Sequence, residues 1–350
     1  MENQYEYKIL NYKNKFSNIG VVIVAFNRRD YIIEALQSVL TQRANDFTYQ
    51  ITVVKNFLDD EIDEFINKNE VNNIYTEKTF LGYKIVLGVI FTNSPVICFL
   101  EDDDLFSDGK LSNVHKKFNE NEGLVYYHNS MVPVNEEKEE IVKWYRQENR
   151  NMLYNSSEKR KKMLRIIRYG GHNLSSISIS RNLALKNGGL FKSSTYDLDY
   201  GILLLALSSG KLVLSDGEKL TYYRIHTSAS NVINTEYAEF LNNKLQIANG
   251  AIETLRHLEK LINVNDKDLV NIYHLMLYQY LLNRSFMSSS SSNVSFREYI
   301  ILHKYAYSLR DYIKYIPLLC FQFTGLLKLK NKLTQYYINN FMLRSMRGKS

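Results

Sequence analysis

The sequence predicts an α/β fold in which a mostly parallel sheet is flanked by helices, with an α-helical region after it. Two features indicate this fold. Between residues 18 and 100, short apolar runs rich in β-branched residues alternate with segments whose apolar residues recur at helical spacing. After residue 231 the pattern is helical throughout. Because alternating strands and helices are typical of parallel sheets, we predict a domain over residues 1–231 and a helical C-terminal region over residues 232–350.

Three units of strand and helix open the chain. The first strand is predicted over Ile19–Phe26, and apolar residues then recur at helical spacing from Ile32 to Leu40. The second strand is predicted over Tyr49–Phe57, and early acidic residues in DDEIDEFINKN favour a helix because they complement its dipole. FLGYKIVLGVIFTNS is typical of a helix, and PVICFL of a third strand. These strands bring AFNRR, KNF and EDDD to one sheet edge, where such folds bind ligands.

The later part of the first domain adds further strands and helices. GLVYYHNSM has the composition of a strand that ends in polar residues. The stretches that follow, LSSISISRNLALKNGGLF, TYDLDYGILLLALSSGKLVLSD and LTYYRIHTSASN, indicate strand, helix, helix and strand. The chain has no GxxxxGK[ST] loop and no GxGxxG after its first strand, which disfavours P-loop NTPases and dinucleotide-binding dehydrogenases.

Four carboxylates follow the third strand in the sequence FLEDDDLF. Like charges this close raise one another's pKa, so the chain must hydrate them or neutralise them. One interpretation is a solvated turn, with the FSDGK segment after it. The other is a site for Mg²⁺ or Mn²⁺, since these cations bind few protein carboxylates and usually bridge to substrate phosphates. The position at the sheet edge favours the cation site and a phosphate-bearing substrate.

The net charge of +7 is concentrated in the C-terminal region, where residues 297–350 carry ten cations and two anions. Within it, Tyr315–Leu327 holds no charge and has lysines on both sides. Two interpretations stay open: peripheral contact with an anionic membrane, or a core helix or homo-oligomer contact. The polar N-terminus and two distant cysteines, Cys98 and Cys320, lead us to expect a cytoplasmic protein, peripheral on the cytoplasmic face of the membrane in the first case.

Several of these segments together resemble family 2 glycosyltransferases of the GT-A fold. VVIVAFNRRDYIIEALQSVLTQ is similar to the opening of such enzymes, and FLEDDDLFSDGKL to their DXD segment. SRNLALKNGGLF, TYDLDYGILLLALSSG and YYRIHTSASN resemble their acceptor half, so the resemblance covers roughly Asn18 to Asn231. It implies metal-dependent, inverting transfer of a sugar from a nucleotide-diphospho-sugar to a glycan or lipid-linked acceptor, with no nucleic acid as partner. The alternatives are a catalytically silent nucleotide- or glycan-binding module and, less favoured, a metal-dependent nucleotidyltransferase.

The resemblance implies roles for residues on the donor side. Nucleotide-sugar contacts are implied for Ala25, Phe26 and Asn27 at the base, Asp102 near the ribose and Arg224 over the diphosphate. Metal contacts are implied for Asp103, for Glu101 through water, and for His226, which has a structural histidine as its competing interpretation. Asp104 is expected to face the turn.

On the acceptor side, the resemblance implies that Asp199 is the catalytic base, with Asp197 as the alternative. A helix-dipole explanation for Asp199 stays open. The sequence departs from the family after the second strand, where Lys55 and Asn56 replace an Asp-Asp-Gly-Ser turn whose acid reads the base. Asn56 can still hydrogen-bond a base edge, because an amide both donates and accepts. Lys84 is a candidate phosphate contact.

Overall fold

The structure is a computed structural model that describes residues 6–141, 151–155, 166–167, 169–192, 194, 196–226, 237–262, 266–287 and 298. These residues fall into two compact units, one ending at Ile225 and one that continues from His226. The predicted domain boundary after residue 231 lies outside the described residues, and so does the uncharged segment 315–327.

A ten-stranded sheet runs through the described part of the first unit, in the order β1-β4-β3-β2-β5-β9-β7-β10-β6, with β8 paired to β10. Its strands are β1 Lys8–Asn11, β2 Ile19–Ala25, β3 Tyr49–Lys55, β4 Asn72–Tyr75, β5 Val96–Glu101, β6 Leu105–Phe106, β7 Leu124–Val134, β8 Met152–Tyr154, β9 Ile177–Ser180 and β10 Leu212–Arg224. Strands β4, β3, β2 and β5 are parallel neighbours, and β7 pairs in parallel with β10. Strands β1, β6, β8 and β9 pair antiparallel. The predicted α/β class with a mostly parallel sheet is confirmed.

Helices cover both faces of this sheet. In the first unit they are α1 Ile32–Leu40, α2 Asp60–Lys68, α3 Leu81–Ile90, α4 Lys110–Glu120, α5 Arg181–Phe191 and α6 Leu198–Ser208. Alternate residues of β2, such as Val21 and Ile23, share one buried cluster with apolar residues of α1 and α2. Val22 points to the other face and meets α3, where a Cβ on Gly88 would come within 2.2 Å of it. Side chains of a strand alternate between its two faces. The single apolar run of β2 therefore packs against helices on both faces of the sheet.

The predicted strands β2 and β3 each end slightly before the sequence pattern does. Strand β2 ends at Ala25, because Phe26 turns outward with 46% of its surface exposed and Asn27 adopts a left-handed φ of 52°. Asparagine is among the residues that tolerate this conformation best. Strand β3 ends at Lys55, whose ammonium turns back to Asp63 on α2. The polar residues after both strands are therefore turned toward the sheet edge.

The second unit is helical where it is described. Its two long helices are α7 Tyr237–Leu258 and α8 Lys267–Met287, which pack against each other. Glu298 accepts hydrogen bonds from Arg256 of α7 and Arg284 of α8. Of the helices that the structure describes, none combines the length and the apolar character that crossing a bilayer requires.

A buried lysine joins α4 to the centre of the first unit. The ammonium of Lys110 donates hydrogen bonds to the carbonyl of Ser175 and, at 2.9 Å, to the hydroxyl of Thr221. It also lies 4.0 Å from the centroid of the Phe106 ring. Burial lowers the pKa of Lys110 to about 7, against the opposing effect of Cys98 and Asp104. The folded chain thus binds the Lys110 proton less tightly than the unfolded chain does.

We expect Lys110→Met to remove part of the pH dependence of stability. Between about pH 7 and the ordinary lysine pKa near 10.4, the unfolded state binds more protons at this position than the folded state. Lys110 therefore makes the free energy of unfolding rise with pH in that range. Urea denaturation at about pH 7, 8 and 9 should show a smaller rise for Lys110→Met than for the natural chain. Lys116→Met, an exposed change on the same helix, is the control, and an unchanged rise in Lys110→Met would contradict the assignment.

Candidate active site

The first part of the site lies where β2 and β3 end. Phe26 exposes its ring there, and the ammonium of Lys84, from α3, lies 4.6 Å from the ring centroid. Lys84 is buried and donates a hydrogen bond of 2.7 Å to the carbonyl of Ala25. Burial lowers the pKa of Lys84 to about 8, although the charge of Asp102 acts in the opposite direction. The exposed ring of Phe26 therefore lies against the ammonium of a buried lysine.

Two asparagine side chains lie beside this ring. The side-chain oxygen of Asn56 accepts from the backbone N–H of Asn27 at 3.1 Å and from Lys84 at 3.2 Å. The nitrogen of Asn56 donates to the side-chain oxygen of Asn27 at 2.9 Å. Five residues that we predicted to contact the nucleotide are therefore close together, namely Ala25, Phe26, Asn27, Asn56 and Lys84. Lys84 lies with the base contacts, and its predicted contact with a phosphate stays a prediction.

The acidic residues after β5 form the second part of the site, and a residue that we did not predict holds them. The guanidinium of Arg28 donates to Asp102 at 2.7 Å and to Asp103 at 2.5 Å. The other oxygen of Asp102 accepts from the backbone N–H of Phe26 at 2.9 Å. Asp102 is buried, whereas the side chain of Asp103 keeps 14% of its surface exposed. Asp103 is therefore the more accessible of the two carboxylates for a ligand.

The carboxylates of this loop have unusual proton affinities. Burial, reinforced by the charge of Asp103, raises the pKa of Asp102 to about 7, and Arg28 opposes this rise. Burial and the same neighbour raise the pKa of Asp104 to about 7. The pKa of Glu101 lies well above its ordinary value, first because of desolvation and then because of Asp103 and its other acidic neighbours. Groups with such shifted pKa values in a cleft are frequent at functional sites.

Asp104 does not face the turn, and that expectation was wrong. Its side chain is buried and accepts a hydrogen bond of 3.0 Å from the backbone N–H of Arg224, at the end of β10. The buried guanidinium of Arg224 turns toward α1, where it donates to Glu34 at 2.5 Å and lies 4.4 Å from the Tyr31 ring centroid. Its contact with a diphosphate stays a prediction. His226, which belongs to the second unit, is buried, and its contact with a metal stays a prediction.

The third part of the site is at the start of α6. Asp199 accepts backbone hydrogen bonds from Asn173 at 3.1 Å and from Tyr200 at 2.9 Å. Burial raises its pKa, while His172 and these N–H groups act in the opposite direction. Asp197 has a left-handed φ of 53° and a buried carboxyl oxygen without a hydrogen-bond partner in the described structure. Burial and then the charge of Asp199 raise its pKa well above the ordinary value.

A short loop links the acidic residues to Asp199. It contains Asn173, which has a left-handed φ of 62°, and Ser175, whose hydroxyl accepts from the backbone N–H of Glu101 at 3.0 Å. The side chains of both residues also act to lower the pKa of Asp104, against the larger effect of burial. The charge of Asp199 raises the pKa of Glu101, so the acceptor-side and donor-side carboxylates are close enough to interact. Sequence reasoning missed this loop and Arg28, although the turn-like GGHN and the first Arg in AFNRR were available as signals.

The chemistry of the acidic loop fits a hard divalent cation as a shared ligand. Within the described residues, no group of three or more His, Cys, Asp or Glu side chains is arranged to hold a metal ion. Mg²⁺ commonly takes only one or two protein carboxylates and completes its shell with water and substrate phosphates. Here a cationic group, Arg28, already lies between two carboxylates. The carboxylate oxygens of Asp102 and Asp103 are suitable ligands for a divalent cation. The guanidinium beside them is compatible with a cation that also binds a phosphate group.

We expect Arg28→Ala to destabilise the first unit. It leaves the buried Asp102 and its neighbour Asp103 without their guanidinium, and an unsatisfied buried polar group costs about 1 to 3 kcal/mol, with a larger cost for a charged group. The measurement is the free energy of unfolding from urea denaturation. Arg29→Ala is the matched control, since Arg29 is half-exposed and pairs with Asp59 at the surface, where a salt bridge contributes about 0 to 1 kcal/mol. Equal effects of the two changes would contradict the view that Arg28 neutralises the acidic loop.

The chain is similar to known proteins in sequence and in fold. Residues 20–176 match the model of glycosyl transferase family 2. Two curated relatives are similar to part of the chain: uncharacterized glycosyltransferases from Rickettsia felis, 31% identical over 124 residues, and from Rickettsia conorii, 32% identical over 124 residues. Each similarity covers 34% of this chain and 20% of the relative. The chain thus spans about a fifth of the length of these relatives.

Solved structures show the same fold. The crystal structure of S. aureus TarS 1-349 in complex with UDP-GlcNAc is 15% identical in sequence and has a TM-score of 0.56, covering 92% of both chains. A crystal structure of S. aureus TarS gives a TM-score of 0.52 and covers 91% of this chain and 54% of TarS. Residues 20–176 are therefore similar to a domain of glycosyl transferase family 2, and the first unit has the GT-A fold.

Proposed function

We propose that this protein transfers a sugar from a nucleotide-diphospho-sugar to a glycan or lipid-linked acceptor, with a divalent cation and with inversion at the sugar carbon. One observation carries the proposal. An exposed aromatic ring, a cluster of carboxylates and the Asp199 carboxylate lie at the carboxyl edge of β2, β3 and β5 and at the start of α6, within reach of one another's hydrogen bonds and charges. This edge is where open α/β sheets bind ligands.

The donor side is supported by the residues around Phe26. An exposed aromatic face is suited to stacking on a nucleotide base, and Asn27 and Asn56 provide hydrogen-bonding groups beside it. The fold shared with TarS, whose crystal structure was solved with UDP-GlcNAc, also supports a nucleotide-sugar donor. Asp102, tied to the N–H of Phe26, connects this base region to the acidic loop and is proposed to lie near the ribose.

The cation is proposed to be Mn²⁺ or Mg²⁺, held by Asp103 and, through water, by Glu101. When bound, such a cation supplies positive charge that stabilises the departing diphosphate. Asp103 is accessible, unlike Asp102 and Asp104, which are buried and engaged with backbone N–H groups. Arg28 is proposed to keep the loop in shape by holding Asp102 while Asp103 turns to the ligand.

Asp199 is proposed as the base. In an inverting transfer the acceptor oxygen bonds to the anomeric carbon as the bond to the diphosphate breaks, and the acceptor's proton moves to a carboxylate. Two backbone N–H groups favour the ionised form of Asp199. Asp197 has a buried oxygen with no such donor, and its raised pKa favours the protonated form. Burial raises the pKa of both carboxyl groups, and only Asp199 has two backbone N–H groups that act in the opposite direction.

We expect Asp103→Ala to reduce Mn²⁺-dependent release of nucleoside diphosphate. Removing one group that stabilises charge in the transition state lowers the rate of an enzyme by roughly 10² to 10³. The assay measures diphosphate release from a panel of nucleotide-sugars with acceptor and a titration of Mn²⁺. Asp108→Ala, an exposed change between β6 and α4, is the control. Full activity of Asp103→Ala at low Mn²⁺ would refute the metal assignment, and binding of nucleotide without turnover on any acceptor would favour a silent binding module.

We expect Asp199→Asn to lower kcat with little change in donor affinity. The amide keeps the size of the carboxylate but cannot take the acceptor's proton, and general bases typically contribute about 10² to 10⁴ in rate. Steady-state kinetics and calorimetry with the donor nucleotide separate the two quantities. Asp197→Asn is the matched comparison and should have the smaller effect on kcat. The reverse order would transfer the role of base to Asp197.

A further inference from the structure

We propose that Lys110 is a positioning residue for the transfer reaction, because it fixes the loop that connects Asp199 to the acidic residues after β5. This inference rests on the proposed function, since it concerns the same site. The loop consists of residues 171–176. Lys110 is the first residue of α4, and its side chain is completely buried.

The hydrogen-bond partners of the Lys110 ammonium are neutral groups. The ammonium donates to the carbonyl of Ser175 and to the hydroxyl of Thr221, and the charge of Asp104 only partly opposes the effect of burial. A buried cation costs free energy unless it is well compensated. A methionine of similar length would fill the same space without that cost. The stability of the fold alone therefore does not account for a lysine at this position.

Two buried donors hold the carbonyl of Ser175. Besides the Lys110 ammonium, the hydroxyl of Thr221 donates to this carbonyl at 3.2 Å. The same hydroxyl accepts from Lys110 and from the side-chain amide of Asn129, both at 2.9 Å. Thr221 lies on β10 and Asn129 on β7. The ammonium and its neighbours therefore fix Ser175 relative to α4 and to two strands of the sheet.

Ser175 in turn connects the two parts of the site that carry carboxylates. Its hydroxyl accepts from the backbone N–H of Glu101, at the end of β5, at 3.0 Å. Its backbone N–H donates to the side-chain oxygen of Asn173 at 2.7 Å. The backbone N–H of Asn173 then donates to Asp199 at 3.1 Å. A displacement of Ser175 would therefore change the distance between Asp199 and the acidic residues after β5.

The start of the same loop has anchors of its own. The hydroxyl of Tyr126 donates to the carbonyl of Gly170, just before the loop, and a ring nitrogen of His128 donates to the carbonyl of His172 at 2.7 Å. Both donors lie on β7. Loss of the ammonium would therefore leave the loop attached to the sheet and loosen only its second half. We thus expect a methionine variant to fold.

Steady-state kinetics of Lys110→Met in two backgrounds test this inference. In the natural chain the change should lower kcat by roughly tenfold, since a catalytic group misplaced by about 1 Å can cost about 10² in rate. Calorimetry with UDP, GDP and dTDP, each with Mn²⁺, should show little change in nucleotide affinity. In Asp199→Asn the same change should lower kcat no further, because residues that act as a unit have non-additive effects. A loss caused by weaker folding would be equal in both backgrounds.

Lys117→Met is the matched control. Lys117 lies on the same helix and also ties it to β10, through an ion pair of 3.0 Å with the buried Asp216, so its loss should leave kcat unchanged. Thr221→Val is a second test that keeps the shape of the side chain and removes one donor to the Ser175 carbonyl. It should lower kcat in the same direction as Lys110→Met, and it decides the matter if Lys110→Met folds poorly.

Hydrogen exchange distinguishes failure of this inference from failure of the proposed function. In Lys110→Met and in Thr221→Val, the backbone N–H groups of Glu101 and Asn173 should exchange faster than in the natural chain, and this measurement requires no turnover. Unchanged exchange, or equal losses of kcat in both backgrounds, would overturn the inference and leave the proposed function in place. If the natural chain releases nucleoside diphosphate from no nucleotide-sugar, the proposed function fails, and the role of Lys110 in transfer fails with it.

Discussion

The hydrogen bonds of Asp102 hold the candidate site together. This buried carboxylate follows β5, accepts from the backbone N–H that follows β2, and binds the guanidinium of Arg28. It therefore fixes the ends of two neighbouring parallel strands relative to each other. The exposed ring of Phe26 on one side and Asp103 on the other take their positions from this bond. The hydrogen bonds from the backbone N–H and from the guanidinium offset part of the free energy needed to remove the Asp102 carboxylate from water.

Charge compensation at this edge also explains the proton affinities. Glu101 ends β5, Asp102, Asp103 and Asp104 follow it directly, and the guanidinium of Arg28 contacts two of these four residues. Buried carboxylates without enough positive charge nearby hold their protons more tightly, as the raised pKa values of Asp102 and Asp104 show. On the other side of the sheet edge, Asp197 and Asp199 repeat the pattern, and backbone donors favour the charged form at Asp199.

The sequence was sufficient for the fold class, although not for β1, β4, β6, β8 and α4, because period and composition are local properties. Strands β2, β3 and β5 and helices α1 to α3 follow from apolar runs and helical spacing. The roles within the acidic loop could not be predicted in this way. Asp104 is buried because the backbone of β10, 120 residues away in sequence, supplies its donor. Arg28 and the Asn173 loop act through contacts that only the folded chain creates. The sequence shows which side chains are charged. Tertiary packing determines which of those side chains a ligand can contact.

The position of Arg28 also bears on how ligands enter the site. Its guanidinium already neutralises Asp102 and Asp103, so a cation that binds Asp103 alone must compete with it. A diphosphate brings negative charge that a guanidinium binds well. A cation and a diphosphate that arrive together therefore leave both the carboxylate and Arg28 with a partner. A ligand shifts an equilibrium only by its differential affinity for the two arrangements, so we expect the proposed cation and nucleotide to bind together more tightly than the cation binds alone.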